Sequence, residues 1–572
     1  MDNEITLRIT GEAGQGIQTI GAGLCNLFKR CGLHIFASQD YMSRIRGGNN
    51  FFQIRVSDKP VYSSSQRPDI AVTLDKNSIA IHKTQLSNRG IMVLDKQKFG
   101  ISDEDPAFFD APLYNLANQI GGNELFVNSV SCGVVAGMIR LNFGLVQDVI
   151  KAIFENKSEE IIKKNVDAAR AGFDFSSANF KFDKFKLGGA AVAPRDNLAM
   201  NGNEAIALAA IRAGCKFYSA YPMSPSTSIM DMMAHSAAKF NIVVEQAEDE
   251  IAAINMVIGA SFAGVRSMAA TSGGGFALMV EGLSLAGMTE TPIVVVDAQR
   301  PGPATGFPTR TEQADLDFLI HAGHGEFARA IYTPGSIEEA FYLTVKAFNI
   351  AEKYQIPVLI MTDQHLADSV RDIEPFDLKN AVVQRHIISK EDSGKITDYK
   401  RYQFTESGVS SRAIPSWIND VIYADSDEHN EEGHITEDAD MRVKMVDKRF
   451  YKKMAGLAQE VEKPLAYNLA KADTILVGFG STYGVIKEAC GFCGKEFGYI
   501  HLPQVWPFPA LEVSLMLKGK RNIITVENNA GAQLARLIFR ETGIRVKSSI
   551  LRYDGRPFDL DYLIGRIKET GR

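Results

Sequence analysis

The chain has 572 residues, which is too long for one ordinary hydrophobic core, so several domains are expected. Hydrophobic residues make up 45% and charged residues 23% of it, the balance of a folded, water-soluble protein rather than a disordered one. The formal net charge of -6 at pH 7 provides no basic surface for a phosphate backbone. We therefore expect no nucleic acid partner.

The beginning of the chain, MDNEITLRIT, alternates like a β-strand and lacks the basic and apolar regions of a secretory signal. No apolar run reaches the roughly 18 residues that would suggest a transmembrane helix. These features predict a cytoplasmic protein that does not associate with a membrane. The six cysteines are too few and too scattered for a disulfide framework, and only Cys490 and Cys493 have a metal-like spacing, without a second pair to complete a cluster.

Residues 1–180 alternate strand and helix patterns. The strand ITLRIT, a glycine-rich turn and the helix IQTIGAGLCNLFKRCG come first, followed by the strands LHIFASQ, DIAVTLD and GIMVLD. This order predicts a Rossmann-like α/β domain, doubly wound around a mainly parallel sheet. Residues 181–197 mix glycine, proline and small and charged residues, which predicts a linker.

The glycine-rich turn contains Gly11, Gly14 and Gly16, between a strand and a helix whose N-terminus favours anions. It either binds a phosphate-bearing ligand or only packs the helix on the sheet. The spacing GxxGxG and the absence of a following lysine disfavour an NAD-linked dehydrogenase and a P-loop. Arg44 and Arg46, in the later segment SRIRGG, suit a phosphate or carboxylate, or salt bridges at a subunit contact.

A second α/β pattern occupies residues 198–380, through the strands NIVVEQ, VRSMAA, PIVVVDAQ and IPVLIMTD. Strands this apolar are usually covered by helices on both faces. Residues 381–462 are polar and acidic and end in a charged helix over about 441–462, which predicts a connecting arm rather than a core. Residues 463–572 again alternate strands and helices, which predicts a third, small open sheet.

Polar loops follow three of the strands in the second pattern, at the sheet edge where ligands bind in open α/β sheets. YPMSPST contains Ser224 among hydroxyls that cap the next helix or bind a substrate. AEDE contains Glu250, which either complements a helix dipole or contacts N1′ of a thiamine aminopyrimidine as an acid–base group. Arg300 and Arg310 follow PIVVVDAQ and are either carboxylate clamps or members of surface ion pairs.

Together these motifs resemble the α subunit of 2-oxoacid:ferredoxin oxidoreductases that carry a fused N-terminal γ domain. GEAGQG and SRIRGG resemble the γ domain, and YPMSPST, EDEIAA, TSGGG and GPATGFPTRTEQADL resemble the pyrimidine-binding domain. ADSDEHNEEGHITEDA resembles the connecting segment and VENNAGAQLARL the transketolase-C-like domain. The resemblance implies a γ domain over 1–180, a pyrimidine-binding domain over 198–380, and a transketolase-C-like domain over 463–572.

Members of this family decarboxylate a 2-oxoacid on thiamine diphosphate, pass electrons through iron–sulfur clusters to ferredoxin, and transfer the acyl group to coenzyme A. The resemblance implies that Glu250 contacts N1′, with Glu248 as the alternative. The implied substrate-binding residues are Ser224, Arg300, Thr309 and Arg310. The implied cofactor-binding residues are Tyr221, Pro222, Thr271, Ser272 and Gly273, with Gly11, Gly14 and Gly16 in the γ domain.

The chain contains no GDG motif of the kind that holds Mg²⁺ on the diphosphate. In the family a β subunit supplies the diphosphate site, Mg²⁺ and a [4Fe–4S] cluster, so the resemblance implies a shared thiamine diphosphate and an (αβ)2 assembly. The γ–α fusion is typical of enzymes that convert 2-oxoglutarate to succinyl-CoA, with Arg310 on the second carboxylate. Pyruvate and branched-chain oxoacids stay open as substrates, and so does a non-catalytic scaffold subunit that docks a redox partner.

Overall fold

The computed structural model describes residues 3–12, 14–41, 50–181, 185, 187 and 195–570. The chain divides into two compact units. The first consists of Met1–Met200, Ser369–Pro375 and Asp559–Gly565, and the second of Asn201–Asp368, Phe376–Phe558 and Arg566–Arg572. None of the described helices combines the length and the apolar character needed to cross a lipid bilayer.

Strands and helices alternate along most of the described chain. The strands are β1 (Glu4–Gly11), β2 (His34–Asp40), β3 (Asn50–Ser57), β4 (Ile70–Thr73), β5 (Ile91–Leu94), β6 (Phe108–Asp110), β7 (Leu198–Met200), β8 (Cys215–Ala220), β9 (Val243–Gln246), β10 (Arg266–Thr271), β11 (Ile293–Gln299), β12 (Ala330–Tyr332), β13 (Pro357–Asp363), β14 (Val370–Ile373), β15 (Leu465–Tyr467), β16 (Thr474–Phe479), β17 (Phe497–Leu502), β18 (Gln504–Trp506), β19 (Asn522–Glu527) and β20 (Ser548–Leu551).

The helices follow the same numbering. They are α1 (Ile17–Arg30), α2 (Asn77–Lys83), α3 (Lys96–Phe99), α4 (Leu113–Gly121), α5 (Val127–Met138), α6 (Phe143–Ile153), α7 (Glu159–Asn179), α8 (Gly202–Arg212), α9 (Thr227–Phe240), α10 (Glu250–Phe262), α11 (Gly273–Met288), α12 (Leu316–Ile320), α13 (Ile337–Tyr354), α14 (Gln364–Asp368), α15 (Lys390–Ser393), α16 (Ala439–Val446), α17 (Lys453–Leu457), α18 (Thr482–Cys493), α19 (Ala510–Leu517), α20 (Gln533–Thr542) and α21 (Leu560–Thr570). The predicted α/β class is confirmed.

The first unit is built on an eight-stranded sheet in the order β6-β5-β4-β1-β3-β2-β14-β7. β1, β4, β5 and β6 pair in parallel, but β3 lies antiparallel between β1 and β2. The prediction of a mainly parallel sheet is therefore wrong. Residues 41–49 between β2 and β3 are fewer than the dozen or more that a parallel crossover needs, so the two strands pair antiparallel.

Two strands from the predicted pyrimidine-binding domain lie in this first sheet. β14 pairs antiparallel with β2 and with β7, and its Asp372 accepts a hydrogen bond from the backbone N–H of Ile35 at 2.8 Å. Phe185 and Leu187, from the predicted linker 181–197, are buried in the first unit's core. The contacts group these segments with the first unit. The sequence-based domain boundaries stay predictions.

The second unit contains two sheets. The seven-stranded sheet has the order β18-β12-β13-β11-β10-β8-β9, and the five-stranded sheet the order β15-β17-β16-β19-β20. All pairings are parallel except those of the edge strands β18 and β15. One hydrophobic core connects the sheets, from Phe276 and Val295 to Val477 and Ile500. The predicted small open third sheet is confirmed.

The segment over 381–462 packs into the second unit. Lys448 and Lys453 are buried and reach the buried Glu290, with Nζ–Oε distances of 2.5 and 2.6 Å. Tyr402 is also buried. We expected a connecting arm rather than a core, and the structure corrects this for the buried lysines. They can be buried because Glu290 compensates two charges that would otherwise require water. The charged helix ends at Leu457, five residues before the expected end at 462.

Candidate active site

The loop after β8 is held in place by hydrogen bonds from α8 and by one within the loop. The buried Asn203 of α8 donates through Nδ2 to the backbone carbonyl of Pro225 at 2.8 Å and to Ser228 Oγ at 2.7 Å. Ser226 Oγ donates to the carbonyl of Met223 at 2.8 Å and makes no side-chain cap to α9. The expected capping of the helix by the run of hydroxyls is therefore not found at its N-cap residue, Ser226. Ser224 stays exposed at the loop surface.

The three acids of AEDE have different surroundings. Asp249 is the N-cap of α10, and its side chain accepts the backbone N–H of Ala252 at 2.7 Å. Glu248 is exposed. Glu250 is 3% exposed, and its buried Oε1 has no hydrogen-bond partner. An unpartnered buried carboxyl oxygen is costly, so Glu250 is the acid among the three whose surroundings favour a ligand.

Gly275 lies directly against Glu250, in the first turn of α11. A Cβ added at Gly275 would stand 2.8 Å from Cδ of Glu250, and closer still to its Oε1 and to Thr271 Oγ1. Burial raises the pKa of Glu250, and the charge of Asp249 acts in the same direction. The glycine therefore makes room for a carboxyl group whose burial favours its protonated form.

Arg300 connects the loop after β11 to the loop after β8. Its Nη1 donates to the backbone carbonyl of Ser224 at 2.7 Å. Burial lowers the pKa of Arg300, while the charge of Glu250 raises it. The structure thus brings Ser224, Glu250 and Arg300 together at one sheet edge, as the sequence predicts. Their roles as ligand-binding groups stay predictions.

Thr309 and Arg310 are half-buried, further along the loop after β11. The backbone N–H of Arg310 donates to the carbonyl of Phe307 at 3.1 Å. Cβ of Arg310 packs against Gly555, where an added Cβ would lie 3.2 Å from it. The end of this loop is therefore in contact with the segment after β20, a neighbour that its sequence does not indicate.

Thr271 and Ser272 are both fully buried at the end of β10. Thr271 Oγ1 donates to Met223 Sδ at 3.9 Å, and Ser272 Oγ has no partner. Gly273 packs against the carboxylate of Asp315. Of the other predicted cofactor residues, Tyr221 is 41% exposed and Pro222 is half-buried.

A buried acid that sequence reasoning left without a role lies in β11. Asp297 is the parallel neighbour of Thr271, is fully buried, and has no hydrogen-bond partner on either oxygen. Burial, together with the charge of Asp315, raises the pKa of Asp297 well above its ordinary value. Burial therefore favours the neutral, protonated form of Asp297 over the carboxylate. The one sequence feature that could have indicated Asp297 as a candidate site residue was its position near the end of β11.

The glycine-rich turn with Gly11, Gly14 and Gly16 belongs to the first unit. Gly14 and Gly16 have φ values of 93° and 75°, which favour glycine, and Gly16 is the N-cap of α1. A Cβ at Gly11 would collide with Gln15. These features suit both predicted interpretations, so phosphate binding stays a prediction. Arg44 and Arg46 lie outside the described residues.

Within the described parts of the chain, no group of three or more His, Cys, Asp or Glu side chains is arranged to hold a metal ion. Cys490 is buried, which raises the pKa of its thiol to about 12. A protonated thiol is a poor metal ligand. The described residues therefore offer no metal centre of their own.

Two family models match the chain in the regions that form these sites. The model described as pyruvate ferredoxin/flavodoxin oxidoreductase matches residues 6–175. The model described as pyruvate flavodoxin/ferredoxin oxidoreductase, thiamine diphosphate-binding, matches residues 208–448, which include Ser224, Glu250 and Arg300.

The α subunit of a 2-oxoacid:ferredoxin oxidoreductase from a Sulfolobus species is 33% identical to this chain, over 97% of the chain and 95% of the relative. The chain belongs to the 2-oxoacid:ferredoxin oxidoreductase family, as an α subunit. The 2-oxoglutarate synthase subunit KorA of Methanocaldococcus jannaschii is 36% identical over 58% of this chain and 88% of the relative. This α subunit is therefore part of a multisubunit oxidoreductase.

A solved structure of 2-oxoglutarate:ferredoxin oxidoreductase from Magnetococcus marinus matches this α subunit with a TM-score of 0.92 and 30% identity. The match covers 100% of both chains. That structure contains 2-oxoglutarate, coenzyme A and succinyl-CoA. The fold of the α subunit is thus shared over its whole length.

The residues at the sheet edge fit the aminopyrimidine of thiamine diphosphate. Glu250 Oε1 is a buried oxygen without a partner, as a group that contacts N1′ requires. Ser272 Oγ is a second buried atom without a partner, and Gly275 leaves the room that the Glu250 carboxyl occupies. The contacts of these three positions with the ring stay predictions.

Proposed function

We propose that this α subunit belongs to an enzyme that converts 2-oxoglutarate and coenzyme A to succinyl-CoA and CO2. The bond between C1 and C2 of the oxoacid breaks, a thioester bond forms at C2, and two electrons pass to ferredoxin while one proton is released. The observation that carries the active-site assignment is the buried carboxyl of Glu250, whose Oε1 has no partner and whose charge acts on Arg300. The full-length similarity to a 2-oxoglutarate enzyme supports the choice of oxoacid.

Each residue of this site has a defined task in the proposal. Thiamine diphosphate, when bound, supplies the nucleophilic carbon for the keto group and the electron sink for decarboxylation. Glu250 holds the proton at N1′, which its raised pKa favours. Arg300 binds the C1 carboxylate with the donors that its bond to the Ser224 carbonyl leaves available.

Arg310 is our candidate for the second carboxylate of 2-oxoglutarate. It lies ten positions after Arg300 in the same loop, and its Cβ is held against Gly555. Pyruvate has no second carboxylate, so an arginine in this position would favour 2-oxoglutarate without improving pyruvate binding. Thr309, next to it, would donate a hydroxyl hydrogen bond to the same carboxylate.

The proposal includes a β subunit that completes the site. The α subunit lacks a GDG motif, and its described residues offer no metal centre. We propose that the partner holds the diphosphate, Mg²⁺ and a [4Fe–4S] cluster, that ferredoxin accepts the electrons, and that the assembly is (αβ)2. The site is proposed to operate in the cytoplasm.

The test is the anaerobic reduction of a viologen dye by the α subunit copurified with its native partners. We expect reduction that requires both 2-oxoglutarate and coenzyme A, and none with the α subunit alone. The Glu250→Gln complex should lose activity by about 100-fold to 10,000-fold, the range of general acid–base catalysis. The proposal would be contradicted if the complex did not reduce the dye with 2-oxoglutarate, or if the α subunit reduced it without its partners.

Arg310→Ala tests the choice of substrate separately. We expect kcat/KM for 2-oxoglutarate to fall by about 10-fold to 100-fold, the effect of losing a charged hydrogen bond. The value for pyruvate should change much less. A variant that keeps the wild-type preference for 2-oxoglutarate over pyruvate would show that Arg310 does not bind the second carboxylate.

A further inference from the structure

The loop that carries Arg300, Thr309 and Arg310 ends at a fully buried glutamine, Gln313. This residue lies between Arg310 and α12 and is 0% exposed. It touches the ends of three strands, one from the seven-stranded sheet and two from the five-stranded sheet. The contacts all lie within the second unit, and they determine where the loop ends.

The side chain of Gln313 reaches β13 and β16. Its Nε2 donates to Asp363 Oδ2 at 3.1 Å and to the backbone carbonyl of Phe479 at 3.0 Å. Asp363 is the last residue of β13 and is 1% exposed. Both hydrogen atoms of the amide therefore have acceptors, one in each sheet.

The backbone of Gln313 is held by two consecutive asparagines after β19. Its N–H donates to the carbonyl of Asn528 at 2.7 Å. In return, the backbone N–H of Asn528 donates to Gln313 Oε1 at 3.2 Å, and Asn529 Nδ2 donates to the carbonyl of Gln313 at 3.2 Å. Every hydrogen-bonding group of Gln313 thus has a partner, which fixes both its backbone and its side chain.

Glu527 holds Asn529 in turn. Its Oε2 accepts Asn529 Nδ2 at 3.0 Å and the backbone N–H of Leu534 at 2.8 Å. Glu527 is 0% exposed and thereby also caps the first turn of α20. The motif Glu527-Asn528-Asn529 therefore has its polar groups directed at the loop's end as well as at its own sheet.

Thr311 provides a second attachment one residue after Arg310. Its N–H donates to the carbonyl of Gly555 at 3.4 Å, and its Oγ1 accepts the backbone N–H of His365 at 3.2 Å. Arg310 thus lies one residue before Thr311 and three residues before Gln313, and both of these have a hydrogen-bonded backbone N–H. Loss of the Gln313 attachment would leave Thr311 as the remaining anchor of this segment, and so loosen the backbone that places the arginine.

We propose that Gln313, held by Asn528 and Asn529, is a positioning residue that sets the substrate-binding loop for recognition of the oxoacid's distal carboxylate. The inference rests on the proposed function, in which Arg310 and Thr309 bind that carboxylate. It gives the Glu527-Asn528-Asn529 motif a role in substrate selectivity, beyond the packing of the five-stranded sheet.

The kinetic test compares Gln313→Ala and Asn529→Ala with the wild type in the copurified complex. We expect KM for 2-oxoglutarate to rise about tenfold, because a displaced Arg310 or Thr309 would lose about one hydrogen bond to the distal carboxylate. The value of kcat should stay within about threefold of the wild-type value. The ratio of kcat/KM for 2-oxoglutarate to that for pyruvate should fall by a similar factor. A purely structural role would lower kcat for both substrates equally and leave this ratio unchanged.

Thr525→Val is the matched control. Thr525 is buried in the same strand as Glu527, and its Oγ1 donates to Ser549 Oγ at 2.7 Å. The substitution removes a hydrogen bond from the same sheet without touching Gln313. We expect it to leave KM and the substrate ratio at their wild-type values, and a shift equal to that of Asn529→Ala would overturn the proposal.

Trypsin cleavage after Arg310 provides a measurement that does not depend on activity. In the full chain we expect Gln313→Ala and Asn529→Ala to be cut at the Arg310–Thr311 bond several times faster than the wild type and Thr525→Val. Unchanged cleavage would overturn the positioning role, even if the complex proves to prefer another oxoacid. Failure of both alanine variants to fold, while Thr525→Val folds, would likewise overturn it and identify a folding element instead.

Discussion

Gly275→Ala is the substitution whose effect follows most directly from the geometry of the site. The added Cβ would lie 2.8 Å from Cδ of Glu250, whereas ordinary contacts begin near 3.4 Å. The carboxyl group must therefore move by about 0.6 to 1 Å, and a displacement of about 1 Å costs roughly 100-fold in rate. We expect kcat to fall by about that factor.

Stability should change much less than activity. Overpacking costs about 1–3 kcal/mol, but alanine gains about 0.5–1 kcal/mol over glycine in a helix. The atoms in the way, Glu250 Oε1 and Thr271 Oγ1, are both ends of side chains that can rotate away. We therefore expect the free energy of unfolding to drop by no more than about 2 kcal/mol.

The assay is viologen reduction by the copurified complex, with thermal unfolding of the same preparation. Gly491→Ala in α18 is the control, since a Cβ there would meet nothing within 4 Å. It should keep full activity and gain about 0.5–1 kcal/mol. Adding Glu250→Gln to Gly275→Ala should cost little more than either alone, because both act on one group. Full additivity, or a Gly275→Ala complex with near wild-type kcat, would refute this reasoning.

Two further predictions concern buried charges of the second unit. Glu290→Gln should destabilise the chain by about 3–5 kcal/mol, because Lys448 and Lys453 lose the carboxylate that compensates their charges. The control Glu432→Gln breaks the exposed pair with Lys400 and should cost no more than about 1 kcal/mol. Equal urea unfolding midpoints for the two variants would contradict this prediction. Burial raises the pKa of Asp315 from 3.8 to about 6, so its contribution to stability is complete below pH 4 and is lost as the pH rises through 6. Asp315→Asn should therefore gain in melting temperature relative to wild type between pH 4 and pH 6.5, and a pH-independent difference would exclude the shift.

Several parts of the site could be predicted because their signals are local. A change from apolar to polar residues marks the end of the strand that precedes YPMSPST and the end of the strand PIVVVDAQ. Parallel strands place such ends at one edge of the sheet. Ser224, Glu250 and Arg300 are indeed brought together there. The glycine turn with Gly14 and Gly16 is likewise local, since positive φ favours glycine.

Other features depend on partners distant in the chain. No local pattern distinguishes Asp249 from Glu250. The structure separates them because one caps α10 while the other meets Gly275. The burial of Lys448 is equally invisible in sequence, since a charged helix predicts a solvated arm until Glu290 is placed beside it.

The sequence by itself determined the α/β class, the order of the motifs and the family they resemble, because strand and helix periodicity and loop chemistry are written in neighbouring residues. Only the tertiary structure decided the mixed character of the first sheet, the packing of residues 381–462 and the attachment of Gln313 to Asn528. The physical reason is that hydrogen bonds and charge pairs join groups far apart along the chain, as between Gln313 and Asn528, and no local spacing encodes which of them will meet.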